Sequence, residues 1–275
     1  MSRSFPPFLL SLFLAAACDA SVAHAATVKT DHVEAELVAD RAAAQPGRPV
    51  TVALRLQHVP QWHTYWRNPG DSGLATRISW HLPAGWSAGP LQWPAPEKLP
   101  LGPLMNFGYD GEVFLLTDLV PPAGAPTGGS VPVRARADWL ACKDVCIPES
   151  AELSLDLPLA ATPGAPTRWQ GNIAAARAAL PVQAPDWKFA SKVAGKSVQI
   201  SITPPPSFKG ELAGLAFFPF RENAIENAAP QPLARDGSGY VMQIALAEPV
   251  APDLRGLDGV MVAPGGFGKG AARAL

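Results

Sequence analysis

Hydrophobic and polar residues alternate with period two through much of the first 160 positions. Val33, Ala35 and Leu37 fall on one side, Glu34 and Glu36 on the other. Val50, Val52, Leu54 and Leu56 alternate with Thr51, Arg55 and Gln57, and Ile78, Trp80 and Leu82 with Ser79 and His81. The pattern returns at Val131, Val133, Ala135 and Ala137 against Arg134, Arg136 and Asp138, and at Leu153, Leu155 and Leu157 against Ser154 and Asp156. Glu112 to Val120 is a more continuous apolar run. Successive side chains of a strand point to opposite faces, so each alternating stretch predicts a half-buried strand. With Pro/Gly-rich turns between them, the stretches predict an antiparallel sandwich of about seven strands over residues 26–160.

The pattern breaks over 161–186. Ala161-Thr162-Pro163-Gly164-Ala165-Pro166 has the composition of a linker. Thr167 and Gln170 have the spacing of a capping box, the Ala-rich stretch to Leu180 favours one short helix, and Pro181 ends it. Strands resume at Lys196–Thr203, Ala213–Phe220, Tyr240–Ala247 and Leu257–Ala263, predicting a second, smaller β-domain over 187–264. The Gly-rich residues 265–275 predict a flexible tail. The expected fold class is all-β, two sandwich-like domains joined by one short helix.

Composition narrows the function. Of 275 residues, 48% are hydrophobic and 16% charged, which excludes a disordered polymer. A net charge of -1 lacks the basic excess of a nucleic-acid binder. The 31 prolines and 24 glycines suit strands and turns better than a helical bundle. No apolar run in the body of the chain is long enough to span a membrane. The N-terminus reads as an export signal over residues 1–25: Arg3, then the apolar Phe8–Ala17, then the small-x-small Ala23-His24-Ala25. An alternative lipoprotein box at Cys18 departs from the usual pattern, which wants a larger aliphatic residue where Ala15 stands. The expected location is therefore the periplasm.

Export changes the reading of cysteine. With Cys18 removed, Cys142 and Cys146 remain, and an oxidising compartment lets them pair. They sit between two predicted strands. As a staple, so short a loop would add only about 2 kcal/mol. As a metal site, two thiolates would suit copper or zinc, but no histidine lies within the motif. His58, His63 and His81 have strand spacing rather than that of a helical metal motif, so no metal ligand is assigned. Redox exchange, a structural staple and copper binding all remain open on the chemistry alone.

The segment Cys142-Lys143-Asp144-Val145-Cys146-Ile147-Pro148-Glu149 resembles the active-site hairpin in the N-terminal periplasmic domain of the thiol:disulfide interchange protein DsbD, and more closely that of ScsB-like protein-disulfide reductases. His63–Gly73 (HTYWRNPGDSG) and Asn106–Glu112 (NFGYDGE) resemble the same family, and the likeness extends over roughly residues 30–265. It implies an immunoglobulin-like first domain and electron transfer by thiol–disulfide exchange with no cofactor beyond the redox disulfide. Cys146 would form the mixed disulfide and Cys142 would resolve it. Phe107, Gly108 and Tyr109 would form a cap loop shielding the sulfurs, and Tyr65, Trp66 and Glu149 would lie near them. The implied partners are a membrane thiol carrier or thioredoxin-like domain as donor and exported thioredoxin-fold proteins as acceptors, serving disulfide isomerisation, cytochrome c maturation, or copper and oxidative-stress tolerance. Two features depart from the family. Three residues lie between the cysteines here rather than five, and these 275 residues contain neither the transmembrane carrier nor the C-terminal thioredoxin-like domain of full-length members.

Overall fold

A computed structural model of the chain describes residues 24–268 and 272–275. The expected signal segment, apart from His24 and Ala25, lies outside the described residues, as does Cys18. The first half contains β1 (His24–Ala25), β2 (Val28–Lys29), β3 (Val33–Ala39), β4 (Val50–His58), β5 (His63–Gly70), β6 (Arg77–His81), β7 (Ser87–Ala88), β8 (Glu97–Leu101), β9 (Leu104–Asp110), β10 (Glu112–Val120), β11 (Ser130–Cys142) and β12 (Cys146–Pro158). They form two antiparallel sheets. One runs β1-β12-β11-β5-β9-β8, with β6 also paired to β11; the other runs β2-β3-β4-β10-β7. The result is an immunoglobulin-like sandwich.

The alternation in the sequence is the alternation of faces. Val33, Ala35 and Leu37 on β3 and Val52, Leu54 and Leu56 on β4 meet Val133, Ala135, Ala137 and Trp139 on β11 and Leu153, Leu155 and Leu157 on β12 in one core. The run in β10 is continuous because both of its faces are covered. Val113, Leu115 and Leu119 point into that core, whereas Phe114 and Leu116 pack outward with Val38, Ala53 and Ile173.

Ile173 belongs to helix α1 (Gln170–Ala178), which lies on the outside of the second sheet. The predicted capping box does not form. Thr167 Oγ1 instead donates to the Ala39 carbonyl at 2.5 Å and accepts from the Trp169 N–H at 3.1 Å. The hydroxyl is thus committed two residues into the turn, and Gln170 is left as the first helical residue. The segment that reads as a linker is bound to the sandwich by backbone hydrogen bonds from Ala42 to Ala165, Gly164 to Ala43 and Thr167 to Asp40.

The rest of the chain is β13 (Lys188–Ala194), β14 (Ser197–Thr203), β15 (Ala216–Pro219), β16 (Leu233–Asp236), β17 (Gly239–Ala245) and β18 (Gly259–Val262). A four-stranded sheet β13-β14-β17-β16 and the pair β15-β18 enclose their own core, which includes Val198, Ile200, Ile202, Phe217, Met242 and Ile244. Phe218 and Val260 leave that core and join the first one. The expectation of a flexible tail is corrected for its described part. Met261 and Leu275 exchange backbone hydrogen bonds, Ala263 bonds to Arg273, and Phe267 and Ala274 are buried. The Gly266 N–H closes a turn on the Ala263 carbonyl just after β18.

Candidate functional site

Strands β11 and β12 form one long hairpin, in register from Ser130 opposite Pro158 to Cys142 opposite Cys146. Lys143-Asp144-Val145 closes it, with the Lys143 N–H bonded to the Val145 carbonyl. Directly opposed residues of an antiparallel pair place their side chains on the same face. The two sulfurs therefore meet at the hairpin tip, where a Cys142–Cys146 disulfide is formed. Its two ends are unequal: Cys142 is fully buried, at 0% exposure, and Cys146 is exposed.

The outer face of β5 lies beside the disulfide. The Tyr65 hydroxyl lies 3.4 Å from Cys146 Sγ. A disulfide sulfur has no hydrogen, so the phenol is the donor. Burial raises the Tyr65 pKa, with Ser72 opposing, which keeps the phenol neutral. The 71–76 loop crosses over the ring. At Gly73, φ is +95° and an added Cβ would stand 2.2 Å from the ring, so only glycine lets this loop lie against Tyr65. Two residues earlier on the same face is His63, opposite Cys142 on one side and Asp110 on the other.

The NPGDSG motif holds the covering loop in place. Gly70 N–H donates to Asn68 Oδ1, and Asn106 Oδ1 accepts from both the N–H and the hydroxyl of Ser72. Asp71 accepts from the Met105 N–H and from Asn227 Nδ2. Asn68 Nδ2 donates to the Pro219 carbonyl at 2.7 Å. The loop over Tyr65 is thereby tied both to β9 and to the second set of strands.

Two sequence expectations are corrected by this geometry. Phe107, Gly108 and Tyr109 are not a loop but the middle of strand β9. Phe107 and Tyr109 point into the sandwich core, on the face opposite the sulfurs. Phe107 packs edge-on against Phe218 with ring centroids 4.9 Å apart, and the Tyr109 hydroxyl donates to the Pro94 carbonyl. Gly108 is required by close approach rather than mobility, because an added Cβ would stand 2.1 Å from the Thr64 carbonyl oxygen. The aromatic against the disulfide is Tyr65. Trp66, the next residue, necessarily points to the other face and packs near Phe218 and Phe220.

Glu149 lies at the base of the hairpin tip, on the inner face. It accepts from Thr30 Oγ1 at 2.6 Å, from the His32 N–H and Nδ1, and from Trp139 Nε1. His32 in turn stacks on Trp62, with centroids 3.6 Å apart. This carboxylate fastens β12 to the facing sheet directly beneath the disulfide. Sequence reasoning missed Thr30 and His32, whose roles depend on sheet pairing that no local pattern announces. It also left His63 unassigned, although its spacing of two from Tyr65 puts it on the same strand face.

Residues 34–158 match the family model described as thiol:disulfide interchange protein DsbD, N-terminal. No curated protein sequence matches the chain. Among solved structures, the N-terminal periplasmic domain of ScsB from Proteus mirabilis superposes with a TM-score of 0.61 at 20% identity, covering 90% of this chain and 94% of that one. The sporulation control protein Spo0M from Bacillus subtilis covers 90% of this chain and 92% of its own at 10% identity. Its TM-score of 0.22 carries no structural argument. Hairpin, strand pairing and family match agree: residues 34–158 form a DsbD/ScsB-like N-terminal domain.

Proposed function

We propose that this protein carries out thiol–disulfide exchange in the periplasm, relaying electrons through Cys142 and Cys146 from a membrane thiol carrier to exported thioredoxin-fold proteins. The observation that carries the reading is the unequal exposure of the two sulfurs. An incoming thiolate needs a reachable sulfur to form a mixed disulfide, and a sheltered neighbour to displace it afterwards. Cys146 suits the first role and Cys142 the second. Val145 and Ile147, both exposed, flank Cys146 and offer an apolar surface to a partner. The sulfurs carry both electrons, so no cofactor is invoked. The family match supports the chemistry, the periplasmic ScsB domain supports the location, and no helix among the described residues is long and apolar enough to cross a membrane.

The test is covalent trapping. Reduced Cys142→Ser, incubated with an oxidised thioredoxin-fold partner, is expected to accumulate a mixed disulfide on a non-reducing gel, and Cys146→Ser to trap poorly. Equal trapping would remove the assigned roles. No trapping by either, with a wild-type bond that resists millimolar dithiol, would leave a structural staple.

A further inference from the structure

Four residues lie side by side across four strands. Cys146 on β12 pairs with Cys142 on β11, Cys142 with His63 on β5, and His63 with Asp110 on β9. Directly opposed positions share a face, with Cβ atoms about 4.5–5.5 Å apart. The row is thus thiol, thiol, imidazole and carboxylate on the outer face of one sheet. Its two middle members are buried, His63 at 8% exposure, and the outer carboxylate is exposed. The His63 Nε2 is buried with no hydrogen-bond partner among the described residues. A buried, unsatisfied imidazole nitrogen costs stability, and a catalytic role is one reason a protein keeps one.

The reduced state supplies the use. Once the disulfide opens, Cys142 is a buried thiol, and burial disfavours its thiolate. It must lose a proton before it can attack, and solvent reaches it poorly. We propose that His63 is the group that exchanges this proton, with Asp110 as a positioning residue that stabilises the imidazolium. In the resolving step, the Cys142 thiol passes its proton to neutral His63 and its sulfur attacks Cys146 Sγ. The Cys142–Cys146 bond forms, the bond from Cys146 to the partner sulfur breaks, and the partner leaves as a thiolate that His63 or solvent protonates. The protein's dithiol is oxidised and the partner's disulfide is reduced. In the reverse direction, a donor thiol passes its proton to neutral His63 as its sulfur attacks Cys146, and the expelled Cys142 thiolate takes that proton from the imidazolium so formed.

The surroundings agree with this role. Burial lowers the His63 pKa and Asp110 offsets this only in part, so the resting ring favours its neutral form while a carboxylate stands by to stabilise its charge. The other titratable groups facing it are Tyr65, a neutral phenol, and His58, both of whose ring nitrogens are committed to Gly111 and Thr64. His58 is therefore no substitute for His63.

The inference rests on the exchange reading, but its test needs no partner. Reduced protein reacts with 5,5′-dithiobis(2-nitrobenzoate) in two phases. The first labels exposed Cys146, and the second, release of another thionitrobenzoate, reports attack by Cys142. His63→Gln is expected to leave the first phase within about twofold and to slow the second at pH 7 by about 100-fold, the low end of general-base contributions. By pH 10, where hydroxide can ionise the thiol directly, the gap should close. Asp110→Asn should shift the pH profile of the second phase toward higher His63 acidity. An unchanged second phase, or a gap of equal size at pH 7 and pH 10, would overturn the proposal. If His63→Gln does not fold, an Asp110→Asn profile that superposes on wild type overturns it. Failure of partner trapping with these phases intact would instead remove the partner reading and leave the role of His63 standing.

Discussion

The Tyr65 hydroxyl sits 3.4 Å from Cys146 Sγ, while Gly73 lies flat against the same ring. One aromatic side chain therefore links the exposed sulfur to the 71–76 loop. Tyr65 is itself fully buried, so its ring is fixed rather than a swinging lid.

This relationship sets an expectation for access to the disulfide. Tyr65→Ala should speed reduction by dithiothreitol about five- to tenfold, equivalent to the ~1 kcal/mol of one hydrogen bond and its packing. Gly73→Ala should act in the same direction, because its Cβ displaces the ring. Thiol-release kinetics on folded protein measure both. A Tyr65→Ala rate equal to wild type would show that the ring does not guard the bond.

Phe107 carries a different expectation. It lies in the core against Phe218, so Phe107→Ala should cost about 3–5 kcal/mol in chemical denaturation, the range for a buried phenylalanine. Phe218→Ala should also destabilise. The double variant should lose less than the sum, because the two rings share one contact. Strict additivity would show that the two cores are not coupled through this pair.

His58 makes stability depend on pH. Its pKa is pushed down to about 4 by burial. The Nδ1–H donates to the Gly111 carbonyl, so Nε2 accepts from the Thr64 hydroxyl, and protonation would break that bond. Between pH 6.5 and 4 the unfolded chain binds this proton and the folded protein does not, so stability falls as pH falls through that window. The loss should approach roughly 3 kcal/mol. Denaturant midpoints at pH 7, 5.5 and 4 should show it, and His58→Gln should flatten the slope. A slope unchanged in that variant would assign the acid sensitivity elsewhere.

How far the sequence revealed this site depended on how each strand is covered. Strands β11 and β12 have one face in the core and one nearer solvent, and their alternation is plain. Strand β5 is covered on both faces, by the core beneath and the 71–76 loop above. Its residues, polar ones included, are nearly all buried, and no period survives. Strand β9 carries Gly108 in its middle, and a glycine between two aromatics looks like a mobile loop. It marks instead the closest approach of two backbones. The cysteines were legible because their chemistry is local. His63 was not, because its meaning comes from standing opposite Cys142 across strands that are far apart in sequence.

Glu149 is the last test, and it separates architecture from chemistry. Its carboxylate is largely buried and accepts from Thr30, from His32 twice and from Trp139, joining the base of the disulfide hairpin to the opposite sheet. Removing it in Glu149→Ala strands several donors in a half-buried setting, for about 3 kcal/mol of lost stability. Glu149→Gln keeps one acceptor oxygen and should recover about half of that loss, because its amide nitrogen cannot accept from the remaining donors. Strands alternate faces, so three residues beyond Cys146 the side chain points away from the sulfurs. Dithiothreitol reduction of the folded Glu149 variants should therefore stay within about twofold of wild type. Paired urea titrations and reduction rates make the measurement. A loss below about 1 kcal/mol would deny the carboxylate its anchoring role. A large change in reduction rate with stability intact would instead place Glu149 in the exchange chemistry itself.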